Sequence, residues 1–142
     1  MRIATVILGV LLVALLGFGV YVRLAPSDPA RWNVDPALGA QGRNSHVAKV
    51  FLPLPPAEAL AAFDKVAMAE PRTIRLAGSP EEGRITYVSR SKLWSFPDYT
   101  TVGTVPDDGG TWLLIWGRSR FGDGDLGVNA ARIKRWVEAL PS

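Results

Sequence analysis

The sequence predicts an α+β domain carried on an N-terminal transmembrane helix. Three features point there: an uncharged run at 3–22, short alternating segments with turn residues between them from 47 to 119, and an apolar stripe of helical spacing at 133–140. Strands joined by tight turns favour antiparallel pairing. An amphipathic helix that follows them can bury its stripe on one sheet face. The expected architecture is a small antiparallel sheet of about five strands, packed against a helix after strand 1 and a C-terminal helix.

The run Ile3–Val22 is twenty residues long and is bracketed by Arg2 and Arg23. At about 1.5 Å per residue it matches the roughly 30 Å of bilayer hydrocarbon. A cleaved signal peptide is the competing reading, but its apolar core has about 7–15 residues and ends at small residues. The nearest small residue here, Ala25, has Arg23 two positions before it. Residues 1–24 are therefore read as an uncleaved signal-anchor. Arg2 lies on one side and Arg23 with Arg31 on the other, so positive charge alone does not set the orientation. The very short N-terminal flank favours a single-pass protein with its domain outside the cytoplasm, in the periplasm or its equivalent.

Residues 25–46 follow as a Pro-rich tether, in which Pro26, Pro29 and Pro36 oppose a continuing helix. Trp32 either pins the tether to the domain or sits among lipid headgroups, where indoles are enriched. The compact α+β domain is expected to fill 47–142. Residues 47–52 read as its first strand. Pro56 suits the first turn of a helix, Leu60, Phe63 and Ala67 continue at helical spacing, and Pro71 closes it. Further strands are expected at about 72–77, 84–91, 99–105 and 111–119, with turn material at 78–83 and 106–110. Ile133, Trp136, Val137 and Leu140 then fall on one face of the last helix. This order is analogous, at the level of fold alone, to a reduced helix-grip arrangement of START-like lipid-binding proteins.

Composition excludes several chemistries. Of 16 Lys/Arg, Arg2 and Arg23 border the apolar run, leaving 14 against 13 Asp/Glu. That balance provides no basic face for nucleic acid. The chain has no cysteine, which removes thiol catalysis, cysteine-bound metals and disulfides. His46 is the single histidine, and nothing in its spacing builds a Ser-His-Asp site. Asp107-Asp108-Gly109-Gly110 lacks the further oxygen donors of a calcium loop and reads as a hairpin turn. No cofactor or metal is expected.

The chemistry concentrates in Arg118–Arg132, which holds three arginines, two aspartates, one asparagine and three glycines where a strand gives way to a helix. Alternation places Trp112, Leu114, Trp116, Arg118 and Arg120 on one face of the last strand and Leu113, Ile115 and Ser119 on the other. Tryptophans beside arginines suit an anionic amphiphile. Equally, the indoles can be core and the arginines can pair with Asp98, Asp123 or Asp125. Asp125 precedes a helix start and suits an N-cap. Asn129 and Arg132 follow it on one helical face, so Arg120, Asp125, Asn129 and Arg132 are expected in one network, with Arg120 or Arg132 within ion-pair reach of Asp125.

The motif Ser119-Arg-Phe-Gly-Asp-Gly-Asp-Leu-Gly-Val-Asn129 with Arg132, and Phe96-Pro-Asp98 before it, resembles the domain of unknown function 1499 family. Its pattern Ser-Arg-x-Gly-x-x-Asp-Leu-Gly-x-Asn-x-x-Arg is filled at every named position. The stretches Arg23–Trp32 and Tyr87–Ser91 are similar to an anchored bacterial subgroup. Many members have Phe-x-Asp-Asp where this chain has Phe96-Pro-Asp-Tyr99, and Arg-Ser where it has Trp116-Gly117. The resemblance implies a compact, often membrane-anchored domain whose signature joins the last strand to the last helix, with no assigned reaction, substrate or cofactor.

Together these readings give an envelope domain that binds a lipid-like or anionic ligand, or an envelope protein, without catalysis. Its candidate residues are Trp116, Arg118, Arg120, Asp98, Asp125, Asn129 and Arg132. The alternative is a hydrolase or cyclase-type enzyme using Arg120, Asp125 and Asp98. A cavity lined by Trp94, Trp112 and Trp116 would favour ligand binding; a closed core with only surface arginines would favour a structural or partner-binding role.

Overall fold

The apolar run forms one uninterrupted helix, α1 (Arg2–Leu24), in the computed structural model, which describes residues 1–141. It is long and apolar enough to cross a membrane. Only Gly19, under the Arg23 side chain, and Val22 are buried along it. Ala25 leaves the helix in an extended conformation, as a residue before proline must.

The tether holds two short helical turns, each opened by an aspartate and a proline. Asp28 accepts the Ala30 amide at 2.9 Å to start α2 (Pro29–Trp32). Asp35 accepts the Ala37 amide at 2.9 Å to start a 3-10 turn at Pro36–Leu38. Proline suits the first helical position because its missing N–H has no partner to lose there.

Five strands follow: β1 (Ser45–Leu52), β2 (Thr73–Ser79), β3 (Arg84–Arg90), β4 (Pro97–Asp107) and β5 (Gly110–Ser119), with α3 (Pro56–Ala69) after β1 and α4 (Val128–Glu138) at the end. Every strand lies within two residues of its expected position, and the class is α+β. The sheet is antiparallel throughout, in the order β1-β5-β4-β3-β2. The first strand thus lies beside the last, with Val47 opposite Trp116.

Helices α3 and α4 cover one face, where Leu60, Phe63, Tyr87, Leu113, Ile115, Ile133 and Trp136 form a closed core. The Trp136 ring meets Phe63 and Tyr87 edge-on, at 5.7 and 5.8 Å between centroids. Burying each such side chain contributes about 1.5–3 kcal/mol. These side chains fill the space that a helix-grip cavity would occupy. Gly117 lets α4 approach, since a Cβ there would meet Ile133 Cδ1 at 2.9 Å.

The tether covers the other face. Trp32 lies flat on Tyr99 at 3.6 Å between rings, with Val88 and Leu76 beside them. Gly39 passes directly over Trp116. Strand β5 is therefore covered on both sides, as its two apolar faces require.

Candidate functional site

The signature corner begins where β5 ends at Ser119 and closes where α4 begins at Val128. Between them the chain turns through left-handed angles at Gly122, Leu126 and Gly127. Glycine adopts these freely, whereas Leu126 does so under strain. Asp125 holds the turn. Its carboxylate accepts the Gly127 amide at 2.9 Å, the Asn129 amide at 3.1 Å and the Asn129 side chain at 2.7 Å. Partial burial pushes the Asp125 carboxyl up, but the hydrogen bonds from Asn129 and Gly127 outweigh it and hold the group below its ordinary value. Asp125 thus satisfies helix-start amides from two residues before the formal N-cap, Gly127.

Behind the turn lies a buried polar network. Asp98 on β4 stands opposite Ser119 on β5, and the Ser119 hydroxyl donates to Asp98 Oδ1 at 2.6 Å. Arg132 Nη2 donates to Asp98 Oδ2 at 3.0 Å. Asn129 joins the two halves: its Nδ2 donates to Ser119 Oγ at 3.0 Å and its Oδ1 accepts from Arg132 Nη1 at 3.2 Å. Asn129 is fully buried and Asp98 and Arg132 nearly so, so each polar atom needs the partner it has.

The structure brings Asp98, Asp125, Asn129 and Arg132 together and adds Ser119, which sequence reasoning did not single out as a hub. Its position opposite Asp98 was readable only once the register was known. The expected ion pair to Asp125 is absent among the described residues, because Arg132 is taken by Asp98 and Arg120 turns away. Arg120 donates to the Pro26 carbonyl at 2.8 Å and lies over Phe121 at 5.2 Å. It therefore stands outside the network that was expected to include it.

Arg118 and Trp116 belong to the opposite face. The Arg118 guanidinium lies 4.0 Å from the Trp116 ring centre and donates to Thr101 Oγ1 at 3.1 Å and to the Trp32 carbonyl. Burial pulls this arginine down to about 10, with Tyr99 acting the other way. Trp116 donates to Ser45 Oγ at 2.7 Å. The tether thus occupies the face that one of the two readings gave to an amphiphile. Trp94, Trp112 and Trp116, whose shared cavity would have favoured ligand binding, do not come together. Trp112 sits at the hairpin end against Phe51 and Lys49, and Trp94 lies in the β3–β4 loop.

A different cavity opens at the corner itself. It has a volume of ≈ 460 Å³, and its lining includes Phe18, Phe96, Asp98, Ser119, Phe121 and Asp125. Phe18 of α1 meets Phe96 at 6.2 Å and Phe121 at 6.1 Å, and Tyr21 meets Phe121 at 6.0 Å. Helix α1 therefore builds one wall. No sequence signal gave Phe18 this role, since the docked face of α1 is set by the folded domain. Among the described residues no group of three or more His, Asp or Glu side chains is placed to hold a metal ion. Asp107 accepts the Trp112 indole N–H at 2.8 Å in the hairpin turn.

A family model described as protein of unknown function (DUF1499) matches residues 22–140. The chain belongs to the DUF1499 family. The matched span takes in the tether, the sheet and the whole signature corner, and it begins at the docked end of α1. No curated protein matches this DUF1499 chain. Among solved structures it is similar to a protein from Chromobacterium violaceum, at 16% identity over 68% of this chain and 94% of that one, with a TM-score of 0.51. An uncharacterised protein from Rhizobium leguminosarum is similar at 13% identity over 67% and 90%, with a TM-score of 0.50. At such identities the likeness is one of fold.

Proposed function

We propose that this DUF1499 protein is a single-pass, membrane-anchored envelope domain that binds a lipid-like ligand at the signature corner without transforming it. The observation that carries this reading is the composition of the ≈ 460 Å³ cavity: aromatic rings from anchor and domain on one side, Ser119, Asp98 and Asp125 on the other. Apolar walls with a few convergent polar groups are the usual make-up of a ligand site. The nearby arginines are engaged elsewhere, Arg132 by Asp98 and Arg118 and Arg120 by tether carbonyls. The polar side of the cavity thus offers acceptors. It suits an amphiphile whose head donates hydrogen bonds, a hydroxyl or an ammonium. In this reading the domain lies outside the cytoplasm.

Native mass spectrometry of the detergent-extracted full chain tests this. Wild-type protein is expected to retain a lipid. Val128→Trp, at a half-exposed position lining the cavity, should fill the space and release it while circular dichroism stays unchanged. Equal lipid retention by the variant, or no lipid retained even after addition, overturns the reading.

A further inference from the structure

We infer that the two loops at the anchor end of the sheet, residues 91–96 and 120–127, enter the interface of the phospholipid bilayer beside α1, so that the domain lies on the membrane in one fixed orientation. This rests on the proposed reading of α1 as a membrane span.

Depth is the first argument. Phe96 and Phe121 pack on Phe18 and Tyr21, which belong to the uncharged run ending at Val22. Phe18 lies four residues inside that end, or about 6 Å along a helix axis. Side chains packed against it share its depth, which is the headgroup–acyl boundary where interfacial segments rest. The contacts are held by polar ties at the helix end. Arg90 donates to the Val22 carbonyl at 3.4 Å, Arg23 to the Leu93 carbonyl at 3.4 Å and Arg120 to the Pro26 carbonyl at 2.8 Å.

Surface chemistry is the second. The same loops and the start of α4 expose Leu93 at 75%, Leu126 at 101% and Val128 at 48%, side chains that an aqueous surface gives no reason to cluster. Trp94 sits among them, as indoles do at membrane interfaces. Arg23, Lys92 and Arg120 stand at this end, level with lipid phosphates. The opposite end of the sheet carries Glu81, Glu82, Asp107 and Asp108 in its two hairpin turns. The 120–127 loop also carries Asp123, paired with Arg43 at 3.0 Å, and Asp125, engaged by the first amides of α4. The domain is thus apolar and charge-balanced toward the bilayer and acidic away from it. The rim of the corner cavity, formed by Leu126 and Val128, then opens within the interface, and its ligand is reached from the lipid phase.

The chain has no cysteine, so single spin labels can be placed without a background. The full chain, carrying Leu93→Cys, Leu126→Cys, Asp108→Cys or Leu12→Cys, is reconstituted in phosphatidylcholine–phosphatidylglycerol vesicles. Its accessibility to oxygen and to a nickel chelate is measured by paramagnetic resonance. Labels at 93 and 126 should show a several-fold lower nickel-to-oxygen ratio than the label at 108, and the label at 12 the lowest of all. Labels at 93 and 126 as open to nickel as 108, with 12 protected, overturn the inference and leave the anchor standing. A label at 12 open to nickel overturns the anchor, and this inference with it.

Discussion

Asp98 and Arg132 meet at 3.0 Å with 10% and 7% of their side chains exposed, the one ion pair among the described residues that is withdrawn from water. It joins β4 to α4 across the signature corner, and both partners have further hydrogen bonds. Removing one member of such a pair strands a buried charge, at a cost of about 3–5 kcal/mol, whereas replacing both costs far less. Asp98→Asn and Arg132→Met should each destabilise the full chain in detergent by about that much. The double variant should lose clearly less than the two losses added, measured by denaturant unfolding in a double-mutant cycle.

Asp125 should show its role through both mutation and pH. Asp125→Ala removes the acceptor for two helix-start amides and should cost about 0.5–2 kcal/mol, clearly more than Asp107→Ala in the hairpin turn. The folded carboxyl lies below its ordinary value, so the folded state binds its proton less readily than the unfolded one. Its stabilisation is complete above the unfolded pKa of about 3.9 and is lost as pH falls through the lower folded value. The stability gap between wild type and Asp125→Ala should hold steady above about pH 5 and narrow on acidification.

The tether is held by Trp32 and admitted by Gly39. Trp32→Ala removes the ring stacked on Tyr99 and uncovers Arg118, and should cost about 3–5 kcal/mol. A Cβ at Gly39 would meet Trp116 at 2.6 Å and Val47 at 2.9 Å, so Gly39→Ala should cost about 1–3 kcal/mol by overpacking. Proteolysis of folded protein should cut near residues 33–44 faster in both variants than in wild type.

Orientation is tested with a reporter. A fusion at the C-terminus should be active when the reporter requires an extracytoplasmic location. Activity confined to a cytoplasmic reporter refutes the proposed topology.

The elements were legible because their patterns are strong. The strand 111–119 shows as a short apolar run bounded by turn residues, and the stripe Ile133, Trp136, Val137, Leu140 matches the helical period. The corner was legible as a place, since glycines and charges concentrate there. Its wiring was not. Asp98 and Arg132 are 34 positions apart, and only the pairing of β4 with β5 brings them together. Arg118 and Arg120 were expected to seek carboxylates, yet they bind carbonyls of Trp32 and Pro26. Every residue carries a carbonyl, so composition cannot mark which one an arginine will find. That the three tryptophans would lie apart along the sheet was not legible for a related reason: indole burial is non-directional and carries no address.

The placement of β1 beside β5 also orders events in time. The contacts that seat the tether join residues 86 and 94 positions apart, Arg118 to Trp32 and Arg120 to Pro26. Closing such long loops before any reward is gained makes folding slow. As the chain is synthesised, β1 waits unpaired until residues 110–119 arrive. A ribosome stalled before β5 therefore leaves an unfolded chain for quality-control proteases, and roughly the final quarter of synthesis decides whether the domain exists at all.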